Sequence, residues 1–402
     1  MKQELIVKIS GAFVLLILIV MSAYTLLNTF PSLWDMWLSY DKITLKENPD
    51  RLFAEAENNI TYAIPNRLEI RDIYSRLAVL QGKREGRNFY ILKDDNGYLY
   101  RGNYYQSMSP NIMDYAKRIR RLREETEKNG GKLIFVGTPE RSTLGNNTVY
   151  SGYPLDRIST LNMDELFSCL YANEVDSLDL GLIFTKSNLT YKELYYKTDS
   201  RWTTIAAFLA SDAIVNALDT NFGIMLDPEN IYSNLDHYHA ITYPSAMQGD
   251  YGRSVGISFG GLDDYTVLLP NFETNFDRHA RSASNVSGDF ETALLDYAIL
   301  NDPQKNSYLV YLSSDDSQHF IVNKNIPDAP KILLIGDSNF IPVTAFLSTM
   351  CSEITMVSPL SARWNGNDNT VSELIQENSF DCVLVACQPE NIGDSMFAFY
   401  KK

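Results

Sequence analysis

Three short apolar runs near the C-terminus constrain the fold more than any other feature. Lys331-Ile332-Leu333-Leu334-Ile335, Glu353 to Val357 and Asp381 to Cys387 read as strands. Helical patterns separate them, one through Thr344 and Leu347 and one from Val371 to Glu377. A strand without polar alternation must be covered on both faces, and strands alternating with helices align in parallel. The expectation is an α/β fold with a parallel sheet flanked by helices. The same texture appears earlier. Ile112, Tyr115, Ile119 and Leu122 recur at helical spacing up to Gly130-Gly131, and the strand Lys132-Leu133-Ile134-Phe135-Val136 follows. Ser177 to Phe184 reads as another strand. Thr203 to Leu218 reads as a helix with Ile205, Phe208, Val215 and Leu218 on one face. Between about 235 and 328 Gly, Asp and Ser become frequent and apolar runs such as Tyr265 to Leu269 are brief, which predicts a β-rich insertion.

The N-terminus points to a location. Ile9 to Leu27 carries no charge, and at about 1.5 Å per residue such a run crosses a hydrocarbon core of roughly 30 Å. Lys2 and Lys8 before it favour a cytoplasmic N-terminus. The alternative is a cleaved signal peptide, with Met21-Ser22-Ala23 as the nearest cleavage pattern. The preferred reading makes 1–30 an uncleaved transmembrane signal anchor and 31–60 a juxtamembrane stalk. Residues 61–402 then form an extracytoplasmic α/β domain with its insertion at about 235–328, on a protein crossing the cell membrane once. With 35 Lys plus Arg against 50 Asp plus Glu, the net charge is −15, which repels phosphate backbones and argues against nucleic acid as a partner. No pair among Cys169, Cys351, Cys382 and Cys387 has zinc-ligand spacing. The odd offset between Cys382 and Cys387 puts them on opposite faces of one strand, too far apart to bridge.

Two segments can carry chemistry. In Gly336-Asp337-Ser338-Asn339 a serine sits where a strand turns into a helix, at the carboxyl edge where such sheets place ligands. The helix start offers N–H groups to a developing oxyanion, and Pro342 suits a first turn. The plainer reading is a helix cap by Asp337 or Ser338. The second segment, Tyr195-Tyr196-Lys197-Thr198-Asp199-Ser200-Arg201-Trp202, opens the Thr203 helix and on its own reads as an ordinary capped start. Four histidines exist: His237, His239, His279 and His319. Asp236-His237-Tyr238-His239 on a strand puts two imidazoles on one side, but two ligands make no metal site. No metal and no cofactor is expected.

The Asp199–Trp202 segment, with its upstream tyrosines and lysine, resembles the signature of the DHHW family. That family is similar to the alginate O-acetylation proteins of the SGNH hydrolase-like class. Further stretches agree in order: Ile64-Pro65-Asn66-Arg67, Asn96-Gly97-Tyr98-Leu99-Tyr100, Thr138-Pro139-Glu140-Arg141, Gly249-Asp250 and Ile335-Gly336-Asp337-Ser338. The resemblance runs from about Tyr62 to Ile392. It implies an SGNH hydrolase-like domain with Ser338 as nucleophile and Asp199 as orienting acid, while Arg201 stands at the histidine position of the family's Asp-x-His-Trp motif. Asn339, Trp202 and the pair Arg363-Trp364 become expected substrate contacts. The implied role is O-acylation, most simply O-acetylation, of a cell-surface polysaccharide beside a membrane-embedded acyl donor protein. A guanidinium stays protonated and cannot take the serine proton. The alternative is therefore a catalytically inactive relative that binds glycan or scaffolds the acylation machinery. His319, just before the nucleophile strand, is the better candidate for a replacement base, and His237 the next.

Overall fold

Apolar side chains on both faces of the central strands dictate a covered sheet, and the protein, studied as a computed structural model, has one. The structure describes residues 2–39, 56, 60, 64, 66–103, 107–145, 148–280, 283–302, 305–313, 316–361, 364 and 370–400. The chain divides into two units, Met1–Leu77 and Ala78–Lys402. In the first, helix α1 (Lys2–Ser39) continues through Pro31, past the boundary expected at 30, and exposes Leu15, Leu16, Leu18, Ile19 and Val20. Among the described residues no helix is long and apolar enough to cross a membrane. The anchor reading of 1–30 therefore rests on the sequence. Most of the expected stalk lies outside the described residues, and helix α2 (Arg67–Leu80) follows it.

The second unit starts with a small antiparallel sheet of β1 (Glu85–Gly86), β2 (Ile91–Lys93) and β3 (Leu99–Arg101). Helix α3 (Ile112–Lys128), β4 (Lys132–Gly137), α4 (Ile158–Ala172), β5 (Ser177–Asp179) and α5 (Thr204–Phe222) follow. Then come β6 (Tyr238–Met247), the short helix α6 (Asp250–Val255), β7 (Asp263–Pro270), β8 (Phe276–Ala280), β9 (Ala283–Gly288) and β10 (Gln318–Asn323). The chain closes with β11 (Lys331–Gly336), α7 (Phe340–Leu347), β12 (Glu353–Val357), α8 (Thr370–Glu377) and β13 (Cys382–Cys387).

The main sheet has eight strands in the order β5-β4-β13-β11-β12-β10-β8-β9. The first five are mutually parallel. One face packs Ile134, Leu334, Ile354 and Leu384 with α5 and α7, and the other packs Phe135, Ile335, Val357 and Val385 with α3, α4 and α8. Helix α7 is buried at every position, which explains why its sequence shows no polar face.

Three features depart from expectation. The sheet is mixed, because β10, β8 and β9 add an antiparallel wing. The chain between β8 and β9 is too short for a parallel crossover, so only antiparallel pairing is reachable there. Strand β10 alternates partly and fully buried positions, a pattern unlike the continuous apolar runs that mark the central strands. The expected insertion at 235–328 thus contributes directly to the main sheet, while β6 and β7 pair as a separate ribbon. Finally, the strand expected from Ser177 to Phe184 stops at Asp179, whose carboxylate accepts from Gly181 N at 2.7 Å and starts a helix, Leu180–Lys186.

All four cysteines are free and buried, with Cys382 on one core face and Cys387 on the other. The folded protein should therefore bind almost no thiol reagent such as dithiobisnitrobenzoate, and the unfolded protein all four equivalents. Rapid labelling before unfolding would contradict this packing.

Candidate active site

The carboxyl edge of the parallel strands gathers the chemistry. After β4 the chain turns outward to β5, and after β11 it turns the other way to β12, so the crevice opens between β4 and β11. Past β11, Asp337 acts as a clamp. Its Oδ1 accepts from Asn339 N at 3.0 Å, and its Oδ2 from Gln388 N at 2.7 Å and Asn391 Nδ2 at 2.8 Å. Burial pushes this carboxyl above its ordinary pKa, while those donors pull it back. The clamp ties the β11 loop to the β13 loop and leaves Ser338 half-buried at the opening. Asp337 thus shapes the turn, and the Asn339 position that precedes α7 makes no side-chain cap.

The second segment reaches the same place from the start of α5. Tyr195 and Trp202 bridge as an antiparallel pair, folding the residues between them into a tight loop, and Thr203 Oγ1 caps the helix by accepting from Ala206 N at 3.2 Å. The Trp202 indole packs edge-on against Phe184 and Phe340 and donates to the Asn339 carbonyl at 3.0 Å. Tyr308 donates to that same oxygen at 3.0 Å. Two distant segments therefore pin the backbone beside Ser338.

Arg201 joins Asp199 to Ser338. Its Nε donates to Asp199 Oδ1 at 2.7 Å and its Nη2 to Asp199 Oδ2 at 2.8 Å, a two-pronged pair. Nη2 also reaches Asp250 Oδ2 at 2.9 Å, and Nη1 donates to Ser338 Oγ at 3.3 Å. The guanidinium lies over the Tyr308 ring, 4.2 Å from its centroid. Among the described residues Arg201 is the side chain hydrogen-bonded to the Ser338 hydroxyl. Burial pushes the Asp199 carboxyl up, but Arg201 and the N–H groups of Arg201 and Asp250 outweigh it and hold the carboxyl below its ordinary pKa. Burial likewise works against the Arg201 charge, and Asp199 and Asp250 overcome it and raise the guanidinium pKa. Both groups stay ionised at any working pH. The hydroxyl is thus offered a donor where a serine nucleophile requires an acceptor.

Several residues of this network carried no assigned role in the sequence reading. Asp250 follows Gly249, at which a Cβ would run into the Asp199 carboxylate and the Thr198 carbonyl. Its side chain is 61% exposed, so of the three charges it is the one that meets solvent. Asn306 Nδ2 donates to Asp250 Oδ1 at 2.6 Å. Arg141 is buried, donates through Nη1 to the Asp199 carbonyl, and stands among the rings of Tyr98, Tyr100 and Tyr195. Arg141 ends the Thr138-Pro139-Glu140-Arg141 stretch that carried the resemblance, but its tyrosine and carbonyl partners are set by tertiary contacts. Beside it, Glu140 is pushed up to about 8 by burial and by Glu390 and Asp156, with Arg141 opposing.

Other expected residues fall elsewhere. Trp202 is buried beneath the site, because its indole has to reach the Asn339 carbonyl, so it supports the serine turn instead of facing a substrate. Asn339 is buried too, its Nδ2 donating to Gln388 Oε1 at 2.5 Å. Trp364 is half-buried and packs on the core face away from α5 and α7, whereas Arg363 lies outside the described residues. His237 closes a single 3₁₀ turn and His239 begins a strand, so the two do not share a strand face, and His239 Nδ1 pairs with Asn271 Oδ1 at 2.9 Å. His279 packs against Phe320. His319 is buried on β10, opposite Met356 of β12 and Ala280 of β8.

Residues 91–257 match the family model of the SGNH hydrolase-like domain of acetyltransferase AlgX. Bacillus cereus PatB1, in a structure with a sulfonyl adduct, superposes with a TM-score of 0.61 at 18% identity, covering 77% of this chain and 97% of that one. A DHHW family protein from Eubacterium siraeum gives 0.58 at 13% identity, covering 78% and 96%. The O-acetyltransferase domain of Pseudomonas putida AlgJ gives 0.46 at 11% identity, covering 78% and 93%. No curated protein matches the chain in sequence. The likeness to PatB1 and to the DHHW protein is one of fold.

Two outcomes follow from this electrostatic arrangement. Arg201→Met leaves Asp199 charged and buried without its partner, so denaturant unfolding should show a loss of about 3–5 kcal/mol; a loss under about 1 kcal/mol would mean the pair is not as desolvated as its burial indicates. Glu140 holds its proton more tightly when folded, its pKa rising from 4.5 to about 8. The stability this gives is complete below 4.5 and lost as the pH rises through about 8. Melting temperature should fall across that window, and Glu140→Gln should flatten the slope.

Proposed function

We propose that this chain serves the O-acetylation of a cell-surface polysaccharide as a glycan-binding or scaffolding member of the acylation machinery, its own serine held silent. The AlgX-type domain match supports the pathway class. The observation that carries the silent reading is Arg201, ion-paired to Asp199 and Asp250 and donating to Ser338. A serine triad without its base loses on the order of a millionfold in turnover. The 1–30 segment would anchor the protein in the cell membrane with residues 61–402 outside, within reach of a membrane-embedded acyl donor protein.

A second reading keeps Ser338 as the nucleophile of an O-acyltransferase or esterase. It is favoured by a hydroxyl that stays at the open edge of the sheet, with an ionised Asp199 one side chain away. Hydrolysis of p-nitrophenyl acetate by the full chain separates the two. In the silent reading wild type and Ser338→Ala react equally, and Arg201→His, which returns an acceptor to the position between Asp199 and Ser338, gains on the order of a hundredfold. If wild type exceeds Ser338→Ala by more than about tenfold, the silent reading fails and the second stands.

A further inference from the structure

A cavity of about 500 Å³ opens beside the Asp199 loop without including Asp199 or Ser338. Tyr98, Tyr195, Tyr196, Lys192, Lys197 and Asp264 line it. Its size suits two or three sugar units, and its mixture of tyrosine edges and a few placed polar groups is that of a ligand site.

The charges facing the cavity are unequally committed. Asp263, at its wall, is satisfied by Lys197 N at 2.9 Å, Thr198 N at 2.8 Å and Thr198 Oγ1 at 2.8 Å. Glu193 closes a capping box with Thr190. Asp264 accepts from Ser245 N through Oδ1 at 2.8 Å, and the residue is exposed. Lys192 and Lys197 form no ion pair among the described residues, and the Lys197 ammonium stands 5.8 Å from the Tyr98 ring centroid. Burial pushes the Tyr98 hydroxyl up to about 12, so it remains a donor. The wall therefore presents ammonium and hydroxyl donors next to a carboxylate acceptor, the complement of neighbouring sugar hydroxyls, each of which both accepts and donates.

Net charge selects among glycans. Lys192 and Lys197 against Glu193, Asp263 and Asp264 leave the wall at −1. Asp199 and Asp250 against Arg201 leave the serine site at −1 as well, in a chain of −15. A polyanion meets like charge at every stage of approach, whereas an uncharged polymer does not. We propose that this groove is a binding subsite for a neutral, hydroxyl-rich glycan chain, adjacent to the Ser338 site. The proposal rests on the O-acetylation reading only for the ligand being a polysaccharide.

Calorimetric titration of the full chain with cellohexaose, chitohexaose and hexagalacturonate tests it. At least one neutral hexamer should saturate the protein, and Lys197→Met and Asp264→Asn should each weaken it about tenfold, the effect of one lost charge-assisted hydrogen bond. Both substitutions change partly or fully exposed side chains, and unaltered melting curves would certify the folds. The proposal is overturned if neither neutral hexamer saturates, if both variants bind like wild type, or if hexagalacturonate binds more tightly than the neutral hexamers. The ester assay with Ser338→Ala reads a different site, so its result in either direction leaves this one standing or falling on its own.

Discussion

A buried ion pair between Arg201 and Asp199 organises the functional end of this protein. Removing two charges from water is costly, and the loss is offset only when every lone pair and N–H finds a partner. That requirement explains the surrounding residues. The backbone N–H of Asp250 completes Asp199 Oδ2, Asn306 completes Asp250, and the Tyr308 ring covers the guanidinium face. Gly249 is small because the chain must pass against the Asp199 carboxylate. Arg201 also reaches the serine: the same donor geometry that satisfies the pair turns a hydrogen toward Ser338.

The central strands were legible because their message is local. A run such as Lys331 to Ile335 cannot be half-covered, so both sheet faces followed from composition. The antiparallel wing was not legible in the same way. Strand β10 carries Gln318, His319 and Asn323 among its apolar residues, and its partners lie in segments distant in sequence. The Ser177 strand was read too long because Asp179 and Gly181, a helix start, sit inside an otherwise apolar run.

The site divides along the same line. Ser338, Asp199 and Arg201 stand in recognisable motifs, and their convergence is what those motifs implied. Trp202 was expected to contact substrate because it closes the motif that carries the resemblance, yet its indole N–H serves a buried carbonyl. The roles of Asn306, Tyr308 and Arg141 come from tertiary geometry, although Arg141 ends a stretch that carried the resemblance. Each is polar and buried, and each role is recognisable only once the segments that satisfy it are in place.

The shared acceptor at Asn339 has a consequence for how such a protein can change over time. Trp202 and Tyr308 grip one main-chain oxygen, and Asp337 staples the neighbouring loop, so the backbone beside the serine is held by contacts that do not pass through the side chain at position 201. The main-chain grip on the serine turn and the side chain facing its hydroxyl are separate features, so position 201 can vary while the cradle persists.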